Sequence, residues 1–260
     1  MKVTTSDGVG LAVRVDGPAQ GAPLLFLNSL GCDLSMWAPQ VGALAETHQI
    51  IRFDTRGHGA SDAPDGDYTL ERLGRDALSV LDGLGVARAH ICGLSMGGVI
   101  AQWLAVEAPT RVGSLILANT AARVGTVEAW QARLDTVLRE GMAAIAETVL
   151  GRFFTDSVRA AEPALVADFR RILLATPPQG YAGCCAALRD ADLRASMRLI
   201  ARPTLVIGGR FDVSTPLAEA EALAAGIAGA GLRVLETAHL SNVEAPEPFA
   251  EAVRRHLEAA

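Results

Sequence analysis

Residues 93–97 read Gly-Leu-Ser-Met-Gly, between an apolar run, Ala89-His90-Ile91-Cys92, and a longer run from Val99 to Val106 with the composition of a buried helix. A chain that passes from strand to helix within two residues brings its own backbone into near contact. The glycines two before and two after Ser95 remove the Cβ atoms that would collide there. Such a turn lifts the Ser95 hydroxyl above the end of a sheet. It also directs the Met96 N–H, at the positive end of the helix, toward a carbonyl under attack by that hydroxyl. Read plainly, Ser95 is only a small helix cap; that reading needs no partner residues elsewhere in the chain.

Length and charge narrow the partners. At 260 residues, 50% hydrophobic, the chain is long enough for one large core, and a single α/β core carrying an insertion is expected. The formal net charge is −6 and no run of Lys or Arg stands out, which argues against nucleic acid or an anionic membrane surface as partner. An anionic substrate would have to be held by individual arginines. No stretch approaches the ~18 apolar residues of a membrane span, and the opening Met1-Lys2-Val3-Thr4-Thr5-Ser6-Asp7-Gly8 lacks the apolar segment of a secretion signal, so a cytoplasmic location is expected. Cys32, Cys92, Cys184 and Cys185 lack C-x-x-C spacing, and adjacent Cys184 and Cys185 can hardly bridge each other. Neither a zinc site nor a disulfide framework is implied.

Lys2 to Thr5 and Leu11 to Val15 alternate apolar and polar residues around Asp7-Gly8, the pattern of a hairpin. Short, nearly continuous apolar runs follow at 24–27, 50–53, 90–92, 115–117, 205–207 and 232–235. Strands this apolar are buried on both faces, which predicts a mostly parallel sheet flanked by helices. Helices are predicted over 69–84, 96–106, 216–227 and 246–257. Between Asn119 and Pro203 the strand pattern stops, and Trp130, Leu134, Val137, Met142, Ile145, Val149, Phe153 and Phe154 recur at spacings of three and four. The expectation is an α/β core from residues 1–119 and 203–260. A helical cap, residues 120–202, would lie over the carboxyl ends of the strands, where open α/β sheets bind ligands. Thr176-Pro177-Pro178-Gln179-Gly180 is expected to be a loop between two cap helices.

A serine nucleophile needs a base, an acid to orient that base, and donors for the oxyanion. Among five histidines His239 is best placed, because it follows the last apolar run and precedes a Pro-started helix. His48 and His90 sit at strand starts, His256 in the terminal helix and His58 in a turn. Asp212 lies on the preceding strand-end loop, which Gly208-Gly209 frees for close approach; its plain reading is a cap for the helix near Pro216. The chain order is then Ser95, Asp212, His239. Oxyanion donors are expected at the N–H groups of Met96 and Leu30, the latter in Asn28-Ser29-Leu30-Gly31, with the Ser29 hydroxyl as an optional helper. The block from Asp54 to Asp62 reads as a structural turn braced by Asp54 and Arg56, which makes His58 a scaffold residue.

Asn28-Ser29-Leu30-Gly31, Asp54-x-Arg56-Gly57-x-Gly59-x-Ser61, Gly93-Leu94-Ser95-Met96-Gly97-Gly98, Gly208-Gly209-x-x-Asp212 and Ala238-His239-Leu240-Ser241-Asn242-Val243-Glu244 together resemble the α/β-hydrolase superfamily over nearly the whole chain. Where many members carry His-Gly in the oxyanion loop, Asn28-Ser29 stands here. Within the superfamily, the 26–31 segment with Met36-Trp37, the stretch from Asn119 to Trp130 and the 240–244 loop are similar to the 3-oxoadipate enol-lactonases.

That resemblance implies a hydrolase of bacterial aromatic degradation acting on a small anionic lactone, without metal or organic cofactor. Ser95 would attack the lactone carbonyl, His239 would move the protons, and Asp212 would orient His239. The substrate carboxylate then needs a cation. Trp130 and Arg133, three apart on a predicted cap helix, share a face and would pair an aromatic wall with a clamp. The alternative is an arginine on a solvated face beside a core tryptophan. Carboxylesterase, perhydrolase and carbon–carbon bond hydrolase activities on the same fold stay open at this point, as does a non-catalytic ligand receptor.

Overall fold

The computed structural model describes residues 1–259. Strands β1 (Lys2–Thr4), β2 (Gly10–Asp16), β3 (Ala22–Leu27), β4 (His48–Phe53), β5 (Ala89–Leu94), β6 (Val112–Ala118), β7 (Thr204–Gly209) and β8 (Gly231–Leu235) form one sheet in the order β1-β2-β4-β3-β5-β6-β7-β8. β1 and β2 form the antiparallel hairpin that the alternation predicts, with Val3 opposite Leu11. β2 pairs antiparallel with β4, and every later pairing is parallel.

The parallel centre is dry. Leu24, Leu25 and Phe26 of β3, Ile50 and Ile51 of β4, Ile91 and Cys92 of β5, and Leu115, Ile116 and Leu117 of β6 are completely buried. Side chains alternate between the faces of a strand, so unbroken apolar runs require cover on both. Each such side chain contributes about 1.5–3 kcal/mol by leaving water, the main favourable contribution to the fold. β8 departs from the expectation of a doubly buried strand. Its Gly231, Leu232 and Arg233 are exposed because β8 is the sheet edge, paired only with β7.

The helices are α1 (Ala38–Leu44), α2 (Leu70–Gly83), α3 (Met96–Glu107), α4 (Val127–Glu140), α5 (Ala146–Phe153), α6 (Asp156–Ala161), α7 (Pro163–Ala175), α8 (Pro178–Asp190), α9 (Leu217–Gly226), α10 (Ser241–Glu244) and α11 (Pro246–Ala259). Local chemistry sets their ends. The Thr69 hydroxyl caps α2 by accepting from Arg72 N, and Gly85, at φ 68°, turns the chain away after it. The buried face of α2 is Leu73, Ala77, Val80 and Leu81, at helical spacing.

Between β6 and β7 the chain runs through α4 to α8 without a strand. The connection expected at 176–180 is shorter, because Pro178 starts α8: proline's fixed φ suits a first helical residue, where no N–H is needed. These helices are tied to the sheet domain at several points. Tyr68 N donates to Gly183 O (3.1 Å) and Leu240 N to Phe153 O (3.0 Å). α8 also crosses the 54–62 turn so closely that a Cβ on Gly57 would stand 2.5 Å from Gly180 Cα. No helix among the described residues is long and apolar enough to cross a membrane.

Candidate active site

Ser95 sits between the end of β5 and the start of α3 with φ 58° and ψ −116°, a conformation that L-residues rarely adopt. Its N–H donates to Ala118 O (2.9 Å), and its carbonyl accepts from Val99 N and from the Thr120 hydroxyl (2.8 Å), so the surroundings hold the strained residue from both sides. The flanking glycines are compulsory. A Cβ on Gly93 would lie 2.2 Å from Gly97 O, and one on Gly98 would lie 2.6 Å from Thr120 side-chain atoms. Met96 opens α3, so its N–H has no carbonyl a turn earlier to meet.

His239 follows β8 and Asp212 follows β7, and the structure brings them together: His239 Nδ1 lies 2.8 Å from Asp212 Oδ2, both side chains almost wholly buried. Asp212 is held by five contacts. Oδ1 accepts from Ser214 N (2.8 Å) and Thr215 N (3.1 Å), and Oδ2 from the Thr215 hydroxyl (2.8 Å), Asn119 Nδ2 (3.0 Å) and His239. Burial pushes the carboxyl pKa up, but the His239 charge and these hydrogen bonds outweigh it and hold the pKa below the ordinary carboxylate value. An ionised Asp212 can only accept, so in the neutral form of His239 the proton sits on Nδ1 and Nε2 keeps its lone pair. The plain helix-cap role also holds, since Asp212 takes the amides of Ser214 and Thr215 before α9.

In the sequence Asn119 marked only where the strand pattern stops and where the stretch similar to the enol-lactonases begins. Its backbone, at φ 44°, shares with Ser95 a left-handed φ that non-glycine residues rarely adopt. Nδ2 donates to Asp212 Oδ2 and to Ala238 O (3.1 Å), and Oδ1 accepts from the Ser241 hydroxyl (2.5 Å), so one amide joins the acid loop to the base loop.

The loop after β3 is fixed by Asn28, whose Nδ2 donates to Phe53 O (2.9 Å) and whose Oδ1 accepts from Trp37 Nε1 (3.0 Å). The amide thus serves as donor and acceptor at once. Leu30 N–H has no partner among the described residues. In the turn after β4, Asp54 and Arg56 brace in different directions. Asp54 accepts the amides of Leu34 (2.7 Å) and Ala60 (2.8 Å), whereas Arg56 forks onto Asp76 and reaches Asp7.

Ser95, His239, Ser29 and Leu30 line one cavity of about 100 Å³, together with Val124, Gly125, Ala129, Trp130, Arg133, Val149, Arg152, Phe153 and Tyr181. Trp130 and Arg133 do share a face: the guanidinium lies 4.9 Å from the Trp130 ring centroid, and Trp130 Nε1 donates to Val124 O (2.6 Å). Arg152 is a lining residue that sequence reasoning missed. It stands in the last turn of α5, beside Phe153, whose ring stacks on His239 at 6.3 Å and 16°. Burial lowers the Arg152 pKa, and the nearby Arg133 charge lowers it further. Neither arginine forms an ion pair among the described residues, whereas Arg123 is paired with Asp192 (3.3 Å) outside this cavity. Glu244, quoted above only as part of a motif, accepts from Thr155 N (2.7 Å) and Thr155 Oγ1 (2.9 Å) with one oxygen and from Ala238 N with the other.

A mostly parallel sheet with a serine at the strand-to-helix turn after β5, a carboxylate after β7 and a histidine after β8 defines an α/β hydrolase. Residues 22–246 match the model of the alpha/beta hydrolase fold family, and the chain belongs to that family. It is a hydrolase enzyme. It is 42% identical to 3-oxoadipate enol-lactonase 2 of Acinetobacter baylyi, over 96% of this chain and 93% of that one. The crystal structure of the enol-lactonase from Burkholderia xenovorans LB400 matches with a TM-score of 0.98 at 41% identity, covering 99% and 100% of the two chains. A putative carbamate hydrolase, RutD, of Variovorax paradoxus is 33% identical over 86% of this chain and 87% of its own length.

Proposed function

We propose that the protein hydrolyses 3-oxoadipate enol-lactone to 3-oxoadipate through an acyl-enzyme on Ser95. His239 Nε2 takes the Ser95 proton as Oγ attacks the lactone carbonyl, and Asp212 stabilises the imidazolium that forms. The N–H groups of Met96 and Leu30 receive the developing oxyanion. Collapse expels the ring oxygen as an enol, protonated by His239. The same base then activates the water that hydrolyses the ester, and the enol tautomerises to the ketone. Trp130 walls the ring and Arg133 takes the carboxylate.

The observation that carries this reading is the pair of arginines without carboxylate partners on the wall of the cavity that holds Ser95 and His239. In a chain of net charge −6 this is a local cationic end suited to a small anion. The enol-lactonase relatives support the same substrate class. A carbamate is a second small anionic acyl substrate, favoured by the RutD relative. The deciding experiment follows the loss of enol-lactone absorbance with purified protein, set against Ser95→Ala and the uncatalysed rate. Turnover no faster than Ser95→Ala defeats the proposal, and ammonia release from carbamate in its place establishes the second reading.

A further inference from the structure

In the loop after β3 three amides are tied. Ser29 N–H lies against Met36 Sδ (3.4 Å), Gly31 N–H donates to His58 Nε2 (3.0 Å), and Cys32 N–H donates to Ser29 O (3.2 Å). Leu30, between them, lines the cavity with its N–H unpaired among the described residues. The acceptor for Gly31 is a side chain from a different strand-end turn.

His58 is completely buried in the turn after β4. Its Nδ1 lies 3.3 Å from Arg56 O, which can only accept, so Nδ1 carries the hydrogen and Nε2 is free to receive one. Burial pushes the ring's pKa down to about 4, so the ring is neutral at ordinary pH. The platform beneath it is rigid. Arg56 binds Asp76 through Nε (2.5 Å) and Nη2 (2.7 Å), His58 N donates to Thr55 O (2.9 Å), and Gly57 N to Asp62 O (2.9 Å). Gly31, at φ 79°, is the residue about which the loop most easily turns.

We propose that His58 is a positioning residue for hydrolysis: by accepting the Gly31 N–H it stops the loop from turning about Gly31 and so holds the Leu30 N–H on the cavity wall beside Ser95. The inference rests on the reading of Leu30 and Met96 as oxyanion donors. A group that only filled space would act on folding alone. His58 acts on the charge that develops at the carbonyl oxygen.

Two substitutions separate the roles of the two ring nitrogens. In His58→Asn the amide reaches only about as far as Nδ1, whereas in His58→Gln it reaches the place of Nε2 and can still accept from Gly31. With p-nitrophenyl acetate, which does not depend on the lactone assignment, His58→Asn is expected to lose roughly 10- to 100-fold in kcat with KM within about threefold, the scale of a small misplacement at a reacting centre. His58→Gln is expected to stay within about threefold of wild type. A phenyl trifluoromethyl ketone, which forms a hemiketal oxyanion on serine, is compared with the matching methyl ketone. The ratio of their affinities should fall in His58→Asn by the same factor as kcat and recover in His58→Gln. Equal losses in both variants, or losses equal for both ketones, overturn the proposal. So does an Nε2-protonated tautomer in the imidazole ¹⁵N spectrum of the wild-type protein, a measurement independent of whether any variant folds. If Ser95→Ala keeps the wild-type ketone ratio, the fault lies with the acyl-enzyme reading and not with His58.

Discussion

Gly97 of α3 lies so close to Leu27 of β3 that a Cβ on it would stand 2.1 Å from the Leu27 carbonyl oxygen. The obstacle is backbone on both sides, so no rotamer change relieves it. Gly97→Ala is expected to cost at least about 3 kcal/mol, a fall in Tm of roughly 6–12 °C in a chain of this size. Gly42 in α1 has nothing within 4 Å of a would-be Cβ, and Gly42→Ala should leave Tm unchanged or raise it. Calorimetry on the two variants checks the contrast.

Ser95→Ala and His239→Ala are each expected to lower kcat by on the order of 10⁴- to 10⁶-fold, as removal of either partner does in serine hydrolases that work this way. Asp212→Asn should cost about 10⁴-fold. It should also lower Tm, because Oδ2 accepts from Asn119, Thr215 and His239 at once and an amide nitrogen there accepts from none of them. Steady-state kinetics with a melt of each variant separates the two effects. Retention of a tenth of wild-type kcat by Ser95→Ala removes its assigned role.

Arg133→Ala and Arg152→Ala are expected to lower kcat/KM for the anionic lactone by about 10- to 150-fold each, the worth of a charge-assisted hydrogen bond of 1.5–3 kcal/mol. Hydrolysis of a neutral aryl ester should hardly change. Arg123→Ala is the control, since that side chain is paired with Asp192 away from the cavity. Equal losses on both esters would mean that the helices over the cavity had been damaged.

His58 makes stability depend on pH in a defined direction. Its native pKa of about 4 lies below the ordinary 6.5. The unfolded chain therefore binds a proton first as pH falls. Stability from keeping the ring neutral is full above pH 6.5 and is lost between there and about pH 4, by at most about 3 kcal/mol. His58→Gln, which does not titrate, should flatten the profile in that window. Urea unfolding of both proteins from pH 4 to 7 measures the difference.

Ser95, Asp212 and His239 were legible because each follows an apolar run, and in a parallel sheet all such runs end at the same rim. The signals are local even though the contacts are not. Trp130 and Arg133 were legible as neighbours on one helix face, three residues apart. Arg152 and Tyr181 were not, since helical spacing tells which side chains of α5 or α8 share a face but not that the two faces meet above Ser95. Asn119 and Glu244 escaped for a related reason: an amide that joins two loops, or a carboxylate that reaches from α10 to Thr155, carries no periodic mark. The exposure of β8 likewise depends on its rank in the sheet, which its apolar composition does not encode.

Glu244 and Leu240 tie the loop of His239 to the end of α5 and the start of α6, while Tyr68 and Gly57 meet α8 on the opposite side. A segment inserted between neighbouring strands and pinned to both halves of the sheet domain cannot lift away as a unit without breaking contacts next to the base. The molecule should consequently unfold as one cooperative body. A single calorimetric peak is expected, with calorimetric and van't Hoff enthalpies in agreement, and no separate low-temperature transition for residues 120–202.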